Sequence, residues 1–122
     1  MRCHLRSADR TWFDGEASKV VAESPRGEFA ILDGHAPLLA VLAPGPIRIE
    51  AEDTERVFAS FGGTLRTDRD TVTLLVESAV PIEKIDPEAI RRRIAELDST
   101  DNGSQAERRR LELLLQIKER HA

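Results

Sequence analysis

The sequence predicts a β plus α fold class, with an N-terminal antiparallel β-sandwich followed by a C-terminal two-helix antiparallel hairpin. Three observations predict it. Apolar and polar residues alternate up to about residue 85, turn residues recur there at short intervals, and helical spacing replaces both patterns afterwards. All four Phe and the single Trp precede residue 62, and Pro87 is the only Pro beyond residue 81. We therefore place a β-sandwich domain at residues 1–85 and a helical hairpin at residues 86–122.

Short strands are predicted wherever apolar side chains recur at every second position, because that period places one face of a strand in a core. The alternating positions are Cys3 and Leu5, then Ile47 and Ile49, then Val72, Leu74 and Val76. The run 38–42 is continuously apolar, which predicts a strand buried on both faces. Turn chemistry separates these segments. The turn candidates are Asp14-Gly15, Pro25-Arg26-Gly27, Asp33-Gly34, Pro44-Gly45-Pro46, Gly62-Gly63 and Asp68-Arg69-Asp70.

A first helix is predicted over residues 87–98. Its apolar stripe falls at i, i+4 and i+7. The stripe comprises Ile90, Ile94 and Leu97. Asp86 is a suitable N-cap, and Pro87 occupies the first helical position, where its missing N–H costs nothing.

A second helix is predicted from about residue 104 to near the end of the chain. Residues 99–103 have turn chemistry, and Ser104 with Glu107 has the spacing of a capping box. The apolar residues of this helix cover a wide arc, so it must bury more than one side. Two helices this short are barely stable alone in water, so the hairpin depends on docking and is a candidate switch.

Composition excludes several function classes. The chain has 18 Lys and Arg against 22 Asp and Glu, a net charge of -4, so its overall charge gives no attraction to nucleic acid or anionic lipid. The single Cys3 has no intramolecular disulfide partner, which suits a reducing compartment. The sequence has no signal-peptide pattern and no apolar run long enough for a membrane span. We expect a soluble, cytoplasmic protein.

No catalytic or metal-ligating pattern stands out. The three histidines, His4, His35 and His121, are far apart and have no ligand spacing. The sequence has no nucleophile elbow, P-loop or dinucleotide fingerprint. We expect a chain with no catalytic activity, no metal and no cofactor of its own.

Several turn and strand motifs occur in an order that is informative as a set. They are FDGE at 13–16, GEFAILDGHAPLL at 27–39, PGPIRI at 44–49, FGGTL at 61–65, VTLLV at 72–76 and Ile85-Asp86. This set covers about residues 11–86 and resembles the epsilon-subunit family of bacterial F-type ATP synthases, which is similar to the mitochondrial delta subunit. The family fold, a β-sandwich followed by a helical hairpin, agrees with the architecture predicted above.

The resemblance implies a non-catalytic subunit of the central stalk, or rotor, which couples ion-driven rotation to ATP synthesis. It implies a peripheral location on the cytoplasmic face of the inner (plasma) membrane. The implied partners are the gamma subunit, the c-ring of the membrane sector and, with the hairpin extended, the beta and alpha subunits. The implied interface with gamma and the c-ring comprises Glu28, Gly34, His35, Ala36, Pro37 and Leu38. The alternative is that the glycines only shape turns and that His35 bonds a nearby carbonyl. A free-standing β-sandwich interaction module is the alternative function.

The hairpin carries two arginine runs, Arg91-Arg92-Arg93 and Arg108-Arg109-Arg110. They form a solvated face, a nucleic-acid surface that the balancing acids argue against, or, as the resemblance implies, an inhibitory contact with an acidic segment of the beta subunits. Some family members bind ATP through an Ile-Asp-x-x-Arg-Ala motif. Asp86 fits that motif, but Ala89 and Ile90 depart from it, so ATP binding with help from Arg91, Arg92 or Arg93 stays an open alternative.

Overall fold

The computed structural model describes residues 1–97 and 102–121, which form two compact units, Met1–Val80 and Pro81–Ala122. The strands are β1 Arg2–Ser7, β2 Arg10–Glu16, β3 Lys19–Ser24, β4 Gly27–Leu32, β5 Leu38–Ala51, β6 Thr54–Thr67, β7 Thr71–Val76 and β8 Ala79–Pro81. A 3-10 turn at Ile82–Lys84 precedes α1 Pro87–Glu96 and α2 Asn102–His121.

The strands form two layers that share β5 and β6. These two strands are each 14 residues long and pair with each other in a single register from Leu38↔Thr67 to Ala51↔Thr54. At one end the order is β2-β1-β7-β6-β5, which we call the first layer. At the other end β5 pairs with β3, which pairs with β4, while β6 pairs with β8. We call this end the second layer.

The core lies between the two layers. One cluster of buried side chains joins Cys3, Leu5 and Leu74 of the first layer to Ile49 and Phe58 of the second. Period-two alternation delivers these side chains to the inner faces, as the sequence predicts for β1, β7 and the second half of β5. The β-sandwich and the two C-terminal helices are thereby confirmed, with one departure, since β1 pairs with β7 in parallel.

The prediction that residues 38–42 are buried on both faces is wrong. Leu42 is 4% exposed, whereas Leu39 is 72% and Val41 63% exposed. The strand still alternates, but the positions that point away from the core are aliphatic instead of polar. Sequence pattern alone cannot distinguish a doubly buried strand from one whose outer face is apolar and open.

The predicted break at Pro44-Gly45-Pro46 is also wrong, because β5 continues through it. Pro44 and Pro46 are two residues apart, so their backbone nitrogens lie on the same edge of the strand. β5 pairs with β3 only at Arg48, Ile49 and Glu50, so residues 44–46 have β6 as their only strand neighbour. Prolines at such positions omit N–H groups for which the sheet has no acceptor.

Gly63 is required where β6 passes between its two neighbours. Its φ is 154°, and a Cβ built there would fall on the Leu75 carbonyl oxygen of β7. Gly62 also has a positive φ, 99°. The predicted turn at Gly62-Gly63 is wrong, because β6 continues through both residues. The two glycines instead mark a positive φ and a close backbone approach within the strand.

The start of α1 is as predicted, whereas the start of α2 is not. The Asp86 carboxylate accepts hydrogen bonds from the backbone N–H groups of Glu88 and Ala89, and Pro87 opens the helix. The α2 helix begins at Asn102, so Ser104 is already helical and the predicted capping box is wrong. Glu107 instead bonds to Arg93. Residues 99–101 of the predicted turn lie outside the described residues.

Candidate functional site: the exposed face of the first layer and its neighbouring loop

Two rows of side chains cross the outer surface of the first layer. The strand registers align Leu39, Arg66, Thr73, His4 and Asp14 in one row and Val41, Thr64, Leu75, Arg6 and Thr11 in the next. Successive residues in a row are direct cross-strand neighbours on the same side of the sheet. We call these ten residues the exposed face.

The exposed face is apolar at one end. Leu39, Val41 and Leu75 are 72%, 63% and 53% exposed. Val41 and Leu75 lie on either side of Thr64 in the second row, and Leu39 is two residues from Val41 on β5. Clustered exposed aliphatic side chains on a regular sheet are typical of a surface that binds another protein.

The other end of the exposed face is cationic. The His4 Nδ1 lies 3.1 Å from Asp14 Oδ1, and Arg2, from the flank of the face, donates to the same oxygen from its Nη2 at 2.7 Å. The hydrogen bond from Arg2 holds the pKa of Asp14 below its ordinary value. Arg6 approaches His4 Nδ1 at 3.4 Å. Asp14 is the only carboxylate in the two rows, and Arg66 lies at the opposite end of its row, next to Leu39.

The loop Gly34–Leu38, which contains five of the six predicted interface residues, lies at the end of this face next to Leu39. Gly34 has a φ of 81°, which confirms the predicted tight turn. Thr67 fixes the loop to the end of β6: its hydroxyl accepts from the Leu38 backbone N–H at 2.7 Å and donates to the Ala36 carbonyl at 3.1 Å. Ala36 and Pro37 are exposed, and Leu38 is 42% exposed.

His35 occupies the centre of that loop. Its Nδ1 lies 2.9 Å from the Leu32 carbonyl oxygen and its Nε2 lies 2.8 Å from the Asp68 carbonyl oxygen. The expectation that His35 bonds a nearby carbonyl is confirmed, and two carbonyl oxygens lie within hydrogen-bond distance of the ring. The ring joins the β4–β5 loop to the β6–β7 turn.

Glu28 is separated from the other predicted interface residues. It lies next to the β3–β4 turn, at the opposite end of β4 from the Gly34–Leu38 loop. Its side chain is 58% exposed, and its nearest ionic partner is Arg48 Nη2, at 4.0 Å from Oε1. A pair that loose and that exposed contributes little, which leaves the carboxylate accessible.

At least three of the six predicted arginine site residues bond within the helical hairpin. Arg93 donates from Nε to Glu107 at 2.8 Å, and Arg91 donates to Glu119 at 3.1 Å. Arg108 donates to the Ile94 carbonyl at 3.4 Å. These contacts pair early α1 with late α2 and late α1 with early α2, which confirms the antiparallel hairpin. The remaining arginines of the two runs are Arg92, Arg109 and Arg110, all exposed.

Two other kinds of feature, a metal-ligand cluster and a membrane-spanning helix, are not found in the described part of the chain. Residues 1–97 and 102–121 contain no group of three or more His, Cys, Asp or Glu placed to hold a metal ion. None of the helices within those ranges is long and apolar enough to cross a membrane. Burial raises the pKa of the Cys3 thiol to about 12, so this residue is not a nucleophile.

Sequence reasoning missed the exposed face itself. Leu39 and Val41 lie in the run that was predicted to be buried on both faces, and Leu75 received no assignment, because exposed and buried aliphatic residues have the same polarity. The available signal was the run 38–42, where five successive apolar residues exceed what one buried face requires. The cationic end was not detectable, because Arg6 comes to lie beside Leu75 only through the parallel pairing of β1 with β7.

Comparisons with known proteins agree with the fold. A family model described as the ATP synthase, Delta/Epsilon chain, beta-sandwich domain matches residues 1–82. An ATP synthase epsilon chain of Xanthomonas euvesicatoria is 35% identical over 125 residues, covering 96% of this chain and 89% of that protein. An ATP synthase epsilon chain of Acinetobacter baylyi is 36% identical over 91 residues, covering 74% of this chain and 66% of that protein.

Solved structures give the same result. A chain of the Euglena gracilis mitochondrial ATP synthase, in an OSCP/F1/c-ring structure, has a TM-score of 0.70 and 27% identity, covering 96% of this chain and 76% of that one. A chain of the Tetrahymena thermophila enzyme, from its central stalk and c-ring, has a TM-score of 0.64 at 19% identity and shows the fold alone. With the β-sandwich matched throughout and relatives aligned along nearly the whole chain, this protein belongs to the ATP synthase delta/epsilon chain family.

Proposed function

We propose that this chain is the epsilon subunit of an F-type ATP synthase, a rotor subunit of the central stalk that couples ion-driven rotation to ATP synthesis and carries no catalytic site of its own. Its relatives are named ATP synthase epsilon chains, and a structural neighbour at 27% identity comes from an F1/c-ring complex. In this role it is a peripheral component on the cytoplasmic face of the plasma membrane, held there by the complex.

The exposed face is the proposed binding surface for the gamma subunit. The observation that supports this is the exposure of Leu39, Val41 and Leu75 together on one regular layer. The Gly34–Leu38 loop continues this surface at its edge, so gamma and the c-ring are proposed to meet the chain there. Glu28, at the far end of β4, is a proposed separate contact for polar groups of the c-ring.

Binding of gamma tests this assignment. We expect the double variant Leu39→Ser/Val41→Ser to lose co-purification with gamma while keeping its fold, since both side chains lie outside the core. Leu32→Ser is the matched control. Leu32 is also exposed, at 55%, and also points away from the core, but it lies on the second layer and not on the exposed face. Equal binding by the double variant and the control would contradict the assignment of the exposed face.

The C-terminal hairpin is the proposed regulatory element, and its opening would release basic side chains toward the beta and alpha subunits. Arg91, Arg93 and Arg108 are paired within the closed hairpin, so opening is what frees them. Truncation after Asp86 would then raise ATP hydrolysis by the assembled complex. Unchanged hydrolysis at low and high ATP would remove the inhibitory role and leave the coupling role intact.

ATP binding to the closed hairpin has little support from its contacts. The Asp86 carboxylate is engaged as the N-cap, and Arg91 and Arg93 are engaged by Glu119 and Glu107. We propose that the chain acts without a nucleotide or other cofactor. Calorimetric titration of the full chain with ATP and Mg²⁺ tests this, and saturable binding at physiological nucleotide concentrations would contradict it.

A further inference from the structure

His35 is held in an arrangement that only one of its protonation states satisfies fully. Both ring nitrogens lie within hydrogen-bond distance of backbone carbonyl oxygens, Nδ1 at 2.9 Å from Leu32 and Nε2 at 2.8 Å from Asp68. A carbonyl oxygen can only accept a hydrogen bond. Each of the two contacts therefore requires an N–H on the ring.

A neutral imidazole has one N–H and one nitrogen lone pair, whereas the imidazolium has two N–H groups. In the neutral form one of the two carbonyl oxygens would face a lone pair at under 3 Å, which is repulsive. We infer that His35 closes this two-carbonyl clamp as the imidazolium, and that loss of its proton releases one end of the clamp. His35 is thus a positioning residue for the segment that leads into the Gly34–Leu38 loop, and the position of that segment depends on pH.

The charged groups on the segments that the ring joins are mainly acidic. Asp33 precedes it on the same loop, and Asp68, Arg69 and Asp70 form the β6–β7 turn. The Asp33 carboxylate also accepts a hydrogen bond from the Met1 amine at 2.7 Å. Among the described residues no carboxylate forms an ion pair with the ring, so the cation is stabilised chiefly by the two carbonyl dipoles and not by a direct counter-charge.

The effect of deprotonation is confined to part of the loop. The Thr67 hydroxyl bonds to Ala36 and Leu38 do not involve a group that titrates between pH 5 and 8. The following strand β5 is therefore retained at every pH in this range. The segment that gains freedom is Asp33–His35, which connects the end of β4 to the part of the loop that Thr67 holds.

This inference does not need the proposed function, but it acquires a consequence from it. If the Gly34–Leu38 loop contacts the rotor partners, those contacts are better ordered at low pH than at high pH. The clamp itself can be tested on the chain alone, so failure of the clamp and failure of the rotor assignment give separate results.

The direct test is NMR spectroscopy of the ¹⁵N-labelled full chain, with ring signals of His35 assigned by comparison with His35→Gln. At pH 6 we expect two hydrogen-bonded ring N–H protons on His35. The ring of His121 has no hydrogen-bond partner among the described residues, so its ring protons should exchange with water too fast to appear. At pH 8.5 one of the two His35 signals remains. One signal or none for His35 at pH 6 would overturn the clamp.

Backbone ¹⁵N relaxation provides a second measurement that a purely structural role would not change. The order parameters of residues 33–35 should fall between pH 6 and pH 8.5. His35→Phe keeps a ring of similar size without N–H groups, so its order parameters should be lower at pH 6 and should change only through the Met1 amine that contacts Asp33. His121→Gln is the control and should behave as wild type. An equal fall in His35→Phe would overturn the inference.

Discussion

Arg93 and Glu107 join the two helices of the hairpin through two nearly parallel hydrogen bonds, Nε to Oε1 at 2.8 Å and Nη2 to Oε2 at 3.2 Å. This two-point geometry matches the planar guanidinium to the carboxylate. The hydrogen bond from Arg93 holds the pKa of Glu107 below its ordinary value of 4.5. This ion pair therefore stabilises the hairpin above pH 4.5, and its stabilisation is lost as the pH falls below that value.

Replacing Glu107 with Gln should loosen the hairpin and reduce its dependence on acid. In wild type, helical circular dichroism and amide protection in α1 and α2 should decrease as the pH falls from 6 to 3. In Glu107→Gln the protection should already be lower at pH 6 and change less with acid. Glu112→Gln is the matched control, since Glu112 is an exposed α2 carboxylate outside the ion pairs of the described hairpin. Identical acid profiles for the two variants would contradict this assignment.

Adjacent leucines on β7 should differ sharply in their effect on stability. Leu74 is fully buried in the core, so Leu74→Ala should lower the free energy of unfolding by about 2–5 kcal/mol. Leu75 is 53% exposed on the outer side, so Leu75→Ala should change it by less than about 0.5 kcal/mol. Urea denaturation of the two variants measures both values. A large loss in Leu75→Ala would mean that the exposed face is covered within the chain itself.

Two glycine substitutions separate backbone strain from steric overlap. Gly27 has a φ of 125° in open space, so Gly27→Ala should cost only the conformational strain, about 1–2 kcal/mol. Gly63→Ala adds a collision with the backbone of β7 and should cost clearly more or prevent folding. Thermal unfolding of both variants provides the comparison. Equal melting temperatures would show that β6 and β7 can separate without penalty.

Cys3 should resist alkylation in the folded chain. The thiol is fully buried, and with a pKa of about 12 its thiolate fraction at pH 8 is about one in 10⁴. A thiol reagent at pH 8 should react completely in guanidinium chloride and negligibly without it. Rapid reaction of the native protein would indicate that β1 detaches from the sheet more often than a central strand should.

Sequence reasoning succeeded for features that neighbouring residues decide and failed for features that depend on contacts between residues distant in the chain. Local rules placed Asp86 and Pro87 correctly at the start of α1, because capping is decided within a few residues. They failed at Ser104, because Glu107 bonds to Arg93 on the other helix and not to a backbone N–H at the start of its own helix. The capping-box spacing was present in the sequence, but Arg93 is a stronger partner for that carboxylate than a backbone N–H.

The candidate site shows the same limit. The motif around His35 was recognisable, whereas its second carbonyl partner belongs to Asp68, which is 33 positions away in the chain. The exposed face depends on strand order, since Arg6 and Leu75 become neighbours only through the parallel β1–β7 pairing. Patterns of polarity identify which positions share a side of a strand, but they do not identify what lies opposite.

The pairing of β5 with β6 in one register has a mechanical consequence. Because the same two strands belong to both layers, a twisting load applied at one layer passes to the other along covalent chain and through paired strands pulled lengthwise. When paired strands are pulled along their length, the hydrogen bonds between them share the load instead of breaking one after another. The β-sandwich is therefore suited to act as a stiff torsional coupling between whatever grips its two ends.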